Sequence, residues 1–436
     1  MHQGLLLAAL HGVLKMLRRA GFAPLARMGA TELHGFALGI AYFFQARAWT
    51  LRRREPGRAA VQRAWAPAEY DVGIRDATAG RLHPQDRVEL VAEGAAAFAR
   101  RAAMYAAAGR SIDIATYYLQ ADDTGRGTVQ ALAKAVERGV QVRLLVDRFI
   151  AFKKGLEVPG TTAVLDEARA AGIQLKAWHD STRPYDSNHR KMILVDGGQA
   201  LVGGRNFADH YRGDDWRDLD LVIEGPSVAP LTAAFDAIWH AAERGGDGAH
   251  AAPPWVDRVP AALLHDAVMR FVLSAIGAAV QRIDLELAYF VEQEALCAAL
   301  ARAAHRGVQT RLLTNSNESN DLPHTVRAAY RGMRRLLAAG CRVHARRGAG
   351  RTLHPKYVVV DSEWVSFGSH NLEGYSVRYC CENNLVVRDA ALAARLTAEF
   401  DAEWARTTPV DEAEVARQLR AYRGLWLVDR VFHDFQ

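Results

Sequence analysis

The chain has 436 residues, 50% hydrophobic and 24% charged, which excludes one small domain and a bulk-disordered chain and leaves two domains or one large repeated unit. Lysine and arginine (55) outnumber aspartate and glutamate (49) and the pI is near 9.2. This modest basic excess suits phosphate-bearing partners without choosing among anionic lipid, nucleic acid and phosphorylated metabolites.

Residues 1–85 read as a helical appendage. Leu6, Leu10, Val13, Leu14 and Leu17 fall at helical spacing, and Lys15, Arg18, Arg19 and Arg52-Arg53-Arg54 add positive charge. Such a helix either lies on an anionic membrane surface or packs on the chain's own core or a partner. The segment lacks the basic leader and cleavage site of a signal peptide. No stretch reaches the roughly 18–20 apolar residues of a spanning helix; the best, Phe36 to Phe44, is bracketed by Glu32, His34, Gln45 and Arg47. The expected location is therefore peripheral, on the cytoplasmic face of the cell membrane, or cytoplasmic. The cysteines, Cys297, Cys341, Cys380 and Cys381, form no CxxC pair and no zinc spacing, and read as reduced, buried thiols.

From residue 86 the chain is a tandem repeat. An apolar run, Ile112 to Tyr118, leads to a helical pattern around Leu132 to Val136. Gly139-Val-Gln-Val-Arg-Leu-Leu-Val-Asp147 follows and recurs 168 residues later as Gly307-Val-Gln-Thr-Arg-Leu-Leu-Thr-Asn315. Ala170-Ala-Gly172 matches Ala338-Ala-Gly340 at the same offset, and Phe235-Asp-Ala-Ile-Trp239 returns as Phe400-Asp-Ala-Glu-Trp404. Each half reads strand–helix–strand–helix–strand, then a strand pair and a closing helix, an α/β fold with a mixed sheet covered by helices. The first domain is expected at 86–245 and the second at 256–405, joined by a Gly/Pro-rich seam at 244–254 and followed by a helical tail at 406–436.

Polar residues that a strand does not need stand at equivalent places in the two halves. Asn188-His-Arg-Lys191 runs into four apolar residues and Asp196; Leu353-His-Pro-Lys356 runs into four apolar residues and Asp361. In an extended chain His and Lys at i and i+2 point to one side, so His189 with Lys191 and His354 with Lys356 face a ligand together. Asp196 and Asp361 read as structural, turned away and paired with core basic groups. Gly203-Gly-Arg-Asn206 and Gly368-Ser-His-Asn371 follow, where Gly204, Ser369 and the amides of Asn206 and Asn371 are candidates for binding a phosphoryl group. Asp218 and Glu382 are equivalent carboxylates suited to hold the distal ring N–H of a reactive histidine, each expected to serve its own half. Tyr117, Tyr118, Tyr289 and Phe290, at strand ends, either line the site or fill the core.

One imidazole attacking phosphorus, a second protonating the leaving alcohol and two lysines neutralising the phosphoryl oxygens need neither metal nor other cofactor. The chain has no HExxH motif or clustered carboxylate ligands. Arg190 and Arg205 flank the first histidine, where the second has Pro355 and His370. Their charge is expected to keep His189 neutral as the nucleophile and leave His354 to hold a proton as the acid.

Two complete copies of HxKxxxxD, each with its GGxN or GSxN loop, make the sequence resemble the phospholipase D superfamily from about residue 88 to 405. The resemblance implies two pseudo-symmetric α/β/α sandwich halves, mixed sheets packed face to face, with one shared active site and the N-terminal histidine as nucleophile. The details look most like bacterial cardiolipin synthases: GGRN, GSHN, Thr314-Asn-Ser316, Tyr330 and Leu337-Ala-Ala-Gly340. The chain departs from that pattern at Glu373, where most relatives have Asp, and in lacking the N-terminal spanning helices of many members. The resemblance implies a phosphatidyltransferase making cardiolipin from a phosphatidylglycerol-like phospholipid at an anionic membrane surface, with no nucleic acid partner. Phospholipase D hydrolysis or head-group exchange is the alternative, and a nuclease a more distant one.

Overall fold

The computed structural model describes residues 82–148, 150, 160–178, 187–243 and 267–425, together with Lys15. The amphipathic N-terminal pattern apart from Lys15, the 244–254 seam and the tail beyond 425 lie outside the described residues.

The first half runs β1 (Arg87–Val91), α1 (Gly94–Ala107), β2 (Ser111–Thr116), α2 (Asp123–Glu137), β3 (Gln141–Asp147), α3 (Thr161–Ala170), β4 (Gln174–Trp178), β5 (Ser187–Asn188), β6 (Met192–Val195), β7 (Gln199–Gly203), β8 (Asp220–Glu224) and α4 (Val228–Glu243). The second runs α5 (Ala267–Ala278), β9 (Arg282–Leu287), α6 (Glu294–His305), β10 (Gln309–Asn315), α7 (Val326–Ala338), β11 (Arg342–Arg346), β12 (Lys356–Val360), β13 (Trp364–Gly368), α8 (Gly374–Tyr379), β14 (Cys380–Cys381), β15 (Asn384–Arg388) and α9 (Ala390–Arg406).

Each half builds a seven-stranded sheet, ordered β1-β8-β7-β6-β2-β3-β4 and β15-β13-β12-β9-β10-β11-β16, where β16 is Thr408–Pro409. The helix-linked strands pair in parallel and the later ones antiparallel, so both sheets are mixed. Three antiparallel strands replace the expected strand pair, because the segments after Asp218 and Glu382 join each hairpin as a third member. The tail adds an edge strand as well as a helix, α10 (Glu412–Ala421). That helix packs on the second half through buried Val415, and Glu414 accepts from Tyr330 Oη at 2.9 Å.

Side chains alternate across each sheet as the two-residue period requires. In β6, Ile193 and Val195 enter an outer core with α1, α2 and α3, while Met192 and Leu194 enter an inner one. In β12, Val358 and Val360 face outward and Tyr357 and Val359 inward. The inner core is shared: it joins inner faces of both sheets to the closing helices α4 and α9, which fixes one half against the other. The repeated Phe-Asp-Ala-x-Trp belongs to this layer. Arg143, held by Asp113 at 2.6 Å, covers Phe235 and Trp239; Arg311, held by Asp284 at 2.7 Å, covers Phe400 and Trp404.

Asp196 and Asp361 close equivalent hairpins in the left-handed backbone region, with φ of 53° and 50°. They do not pair with core basic groups. Asp196 accepts the backbone N–H groups of Gly109, Arg110 and Ser111 at 2.7–2.9 Å, and Asp361 those of Val280, Gln281 and Arg282 at 2.8–2.9 Å. Each pins the far end of its motif strand to the start of the central strand. A carboxylate does this best because it can accept several converging donors at once. All four cysteines are buried free thiols. No helix among the described residues is long and apolar enough to cross a membrane.

Candidate active site

His189 and Lys191 lead into β6, and His354 precedes Lys356, the first residue of β12. Two short backbone bridges cross between the halves just before the reactive residues. β5 pairs in parallel with β14, so His189 N–H donates to Cys381 O at 2.9 Å. Arg217 bridges Leu353, so His354 N–H donates to Arg217 O at 2.7 Å. Glu382 follows Cys381 and Asp218 follows Arg217. Each carboxylate is thereby delivered to the other half's histidine.

The expectation that Asp218 and Glu382 serve their own halves is therefore corrected. His189 Nδ1 lies 3.0 and 2.9 Å from the Glu382 oxygens, and His354 Nδ1 lies 2.7 Å from Asp218 Oδ2. Both carboxylates are fully buried. An ionised carboxylate accepts Nδ1–H, which leaves the Nε2 lone pair of each ring for chemistry. Lys191 and Lys356, also buried, donate to the carbonyls of His189 and His354, so each ammonium is held beside its own histidine. Tyr117 meets the His189 ring edge-on at 4.7 Å, and Tyr289 meets His354 at 5.9 Å. Phe290 is in the core, and Tyr118 is buried against Tyr211.

Gly204 and Ser369 accommodate the dyad carboxylates. A Cβ on Gly204 would come within 2.5 and 2.7 Å of the Asp218 oxygens, so glycine here makes room for the carboxylate. The longer Glu382 leaves room for Ser369, whose hydroxyl donates to Glu382 Oε2 at 2.5 Å rather than facing outward. Asn206 gives one amide hydrogen to Tyr211 Oη at 2.8 Å and accepts from Thr116 and Tyr117, which among the described residues leaves one amide hydrogen for a ligand. Asn371 Oδ1 is buried without a hydrogen-bond partner among the described residues. Glu373 caps α8, accepting from Ser376 N–H at 2.9 Å, a role Asp would also fill.

Several contributors escaped the motif reading. Asp147 accepts Asn188 N–H at 2.7 Å, and Asn315 brackets Leu353 with bonds of 2.8 and 2.7 Å, so the last polar residue of each repeated strand positions a motif. Their alignment at the end of the repeat was the available signal. Tyr211 and Trp216 lie 5.6 and 5.2 Å from the His354 ring, on a segment with no recognisable copy in the second half.

Burial lowers both histidines, with added repulsion from the two lysines: His189 to about 4 and His354 to about 3, despite the carboxylates. The charges acting on His189 are those of Glu382, Lys191 and Lys356, and Arg190 and Arg205 are engaged elsewhere. Arg205 donates to Asp218 O and pairs with Asp220 at 3.2 Å, while Arg190 donates to Asn188 Oδ1 at 3.3 Å. Burial favours the neutral form of both imidazoles, with the proton on Nδ1, so no Nε2 proton is reserved for His354 over His189. Burial also lowers Lys191 to about 7 and Lys356 to about 8. Burial alone would raise Glu382, but the His189 dyad outweighs it and holds Glu382 at about 2; the His354 dyad likewise keeps Asp218 ionised. Two lysine ammonium groups beside two imidazole Nε2 atoms, with the carboxylates turned to the Nδ1 side, fit an anionic phosphodiester.

The family model described as cardiolipin synthase, phospholipase D-like domain matches residues 102–239 and again 272–404, more than half of the chain. The chain belongs to this family. It is a phospholipase D superfamily transferase with a cardiolipin synthase-like sequence. Cardiolipin synthase A of Pseudomonas syringae pv. syringae (strain B728a) is 30% identical over 363 residues, covering 77% of this chain and 72% of that one. The Pseudomonas aeruginosa (strain UCBPP-PA14) cardiolipin synthase A is 29% identical over 367 residues, covering 76% and 70%. Among solved structures, phosphatidylserine synthase of Haemophilus influenzae Rd KW20 superposes with a TM-score of 0.68 at 13% identity, covering 83% of this chain and 98% of that one. At that identity the likeness is one of fold. For this cardiolipin synthase-like chain, Gly204→Ala should displace Asp218 from His354 and lower kcat about a hundredfold, with lipid KM within a few-fold of wild type. Steady-state kinetics on lipid vesicles checks this; an unchanged kcat would mean that the carboxylate is not required where it sits.

Proposed function

We propose that this chain is a phosphatidyltransferase working through a covalent phosphohistidine, and that it makes cardiolipin from phosphatidylglycerol. The observation carrying the reading is the crossed pair of dyads, His189–Glu382 and His354–Asp218, flanked by Lys191 and Lys356. The cardiolipin synthase A relatives supply the substrate class. The two catalytic units are taken as residues 86–245 and 256–405, with 1–85 and 406–436 as additions and attachment peripheral to the membrane.

In this reading Nε2 of His189 attacks phosphorus and the bond from phosphorus to the head-group oxygen breaks. That oxygen takes a proton from His354. The acceptor alcohol then returns its proton to His354 and attacks phosphorus, breaking the phosphorus–nitrogen bond and freeing His189. Lys191, Lys356 and the remaining amide hydrogen of Asn206 stabilise the phosphoryl oxygens. His354 acquires its proton when substrate binds, because a phosphodiester anion beside the ring favours the imidazolium that burial and, after it, the lysines disfavour. Because Arg190 and Arg205 are engaged elsewhere, the role of His189 rests on the family resemblance and on its greater exposure, 12% against 6% for His354.

Lysine charge also sets a pH limit. A lysine loses its charge above its pKa, so kcat/KM should fall about tenfold per unit above pH ~7 and more steeply beyond pH ~8 as Lys356 follows Lys191. Initial rates at low lipid concentration between pH 6 and 10 check this; a flat profile to pH 9 contradicts it. The function is tested by expression in a host lacking its own cardiolipin synthases, followed by lipid mass spectrometry. Cardiolipin should appear. Phosphatidic acid accumulating without cardiolipin would contradict transfer and indicate hydrolysis.

A further inference from the structure

The two histidines are chemically equivalent but their surroundings are not. Among the described ring contacts, His189 meets one aromatic ring, Tyr117. His354 meets three: Tyr211 at 5.6 Å, Trp216 at 5.2 Å and Tyr289 at 5.9 Å. The exposed His210 packs on two rings of this wall, 4.3 Å from Tyr211 and 4.5 Å from Trp216. Tyr289 Oη donates to the Asp321 carboxylate at 3.0 and 3.2 Å. Trp216 and Tyr289 are half-buried and Asp321 is exposed, so the carboxylate stands at the open end of the wall. Its charge also acts on Lys356, Tyr118 and Tyr211, which places it on the His354 side.

A carboxylate is a strange neighbour for a site that binds a phosphodiester, since it repels the anion that the lysines attract. It makes sense if it faces a different part of the substrate. Aromatic faces favour cations and aliphatic carbon, and a carboxylate favours hydroxyl or ammonium donors. Both disfavour a second negative charge. The aliphatic, hydroxylated or aminated end of a lipid head group has this chemistry, and it is joined to phosphorus through the oxygen that His354 would protonate.

We propose that Tyr289, Asp321 and Trp216 form the head-group subsite beside His354, and that it takes a small alcohol head group that donates hydrogen bonds and carries no negative charge. The hydroxyls of glycerol and the ammonium of ethanolamine both qualify; serine, which adds a carboxylate to ethanolamine, does not. The inference rests on the phosphatidyltransferase reading and deepens it. Asp321 acts by selecting the alcohol, and the proton transfers stay with the histidines.

The test uses the full-length protein on vesicles containing equal phosphatidylglycerol, phosphatidylethanolamine and phosphatidylserine, each with a distinct isotopic label in its head group. Release of the three head groups is measured in competition, so the ratios do not depend on the amount of active enzyme. Wild type should release glycerol or ethanolamine ahead of serine. Asp321→Asn, which keeps the shape and removes the charge, should raise serine release relative to the favoured head group about three- to fivefold, the range for one exposed charge interaction. A shift against ethanolamine alone identifies the ammonium as the recognised group, and a shift against glycerol identifies the hydroxyls. Ratios unchanged by Asp321→Asn overturn the assignment. Head-group release without cardiolipin, with the ratios still shifted by Asp321→Asn, would contradict the transferase reading and leave the subsite standing.

Discussion

His189→Ala and His354→Ala should each lower kcat for cardiolipin formation by about 10⁴- to 10⁶-fold. Residues acting as one catalytic unit fail together, so either loss should cost nearly as much as both. His189 is the group suited to attack, because Glu382 holds its Nδ1 and leaves the Nε2 lone pair for phosphorus. His354 has no substitute as acid, since burial lifts Tyr118, Tyr211 and Tyr289 well above their usual range. Product formation from labelled phosphatidylglycerol in vesicles gives both numbers. A variant retaining more than about 1% of wild-type activity would remove its histidine from the unit.

Asp218→Asn and Glu382→Gln should each lower kcat about 10³- to 10⁴-fold, because an amide can present its N–H to Nδ1 and favour the wrong tautomer. The crossed pairing gives these two variants different signatures. Glu382→Gln weakens His189 as nucleophile, whereas Asp218→Asn weakens His354 as acid. A phospholipid donor with an activated leaving group needs no acid. It should restore most of the first-step rate to Asp218→Asn and little of it to Glu382→Gln. If each carboxylate served its own half, the rescue would be reversed. The neighbouring loops follow the same logic: Gly204 leaves space for the short Asp218, and Ser369 braces the long Glu382.

The repeat carried most of what was legible. Offsets between Gly139 and Gly307 and between Phe235 and Phe400 recovered the doubled α/β architecture, because each copy must build the same sheet and cover it the same way. His189, Lys191, His354 and Lys356 were visible as polar residues ahead of strands that needed none. The crossing of the dyads was not visible. Asp218 and Glu382 occupy equivalent places, so a linear comparison cannot tell a partner in the same half from one across the bridges at Cys381 and Arg217. Charge counting along the chain failed for a related reason. Arg205 is adjacent to Asn206 in sequence, but its guanidinium is spent on Asp218 O and Asp220. The aromatic wall at Tyr211 and Trp216 lies on a segment the repeat does not duplicate, so comparing the halves gave it no signal.

The covalent intermediate is the most direct test of the composite site. A phospholipid donor with an activated leaving group is offered to His354→Ala, the reaction is quenched, and the digested protein is mapped by peptide mass spectrometry. The phosphatidyl group should be found on His189, and His189→Ala treated in the same way should carry none. An adduct on His354 in the His189→Ala protein would reverse the roles, and turnover by wild type with no histidine adduct under any quench would contradict the covalent route.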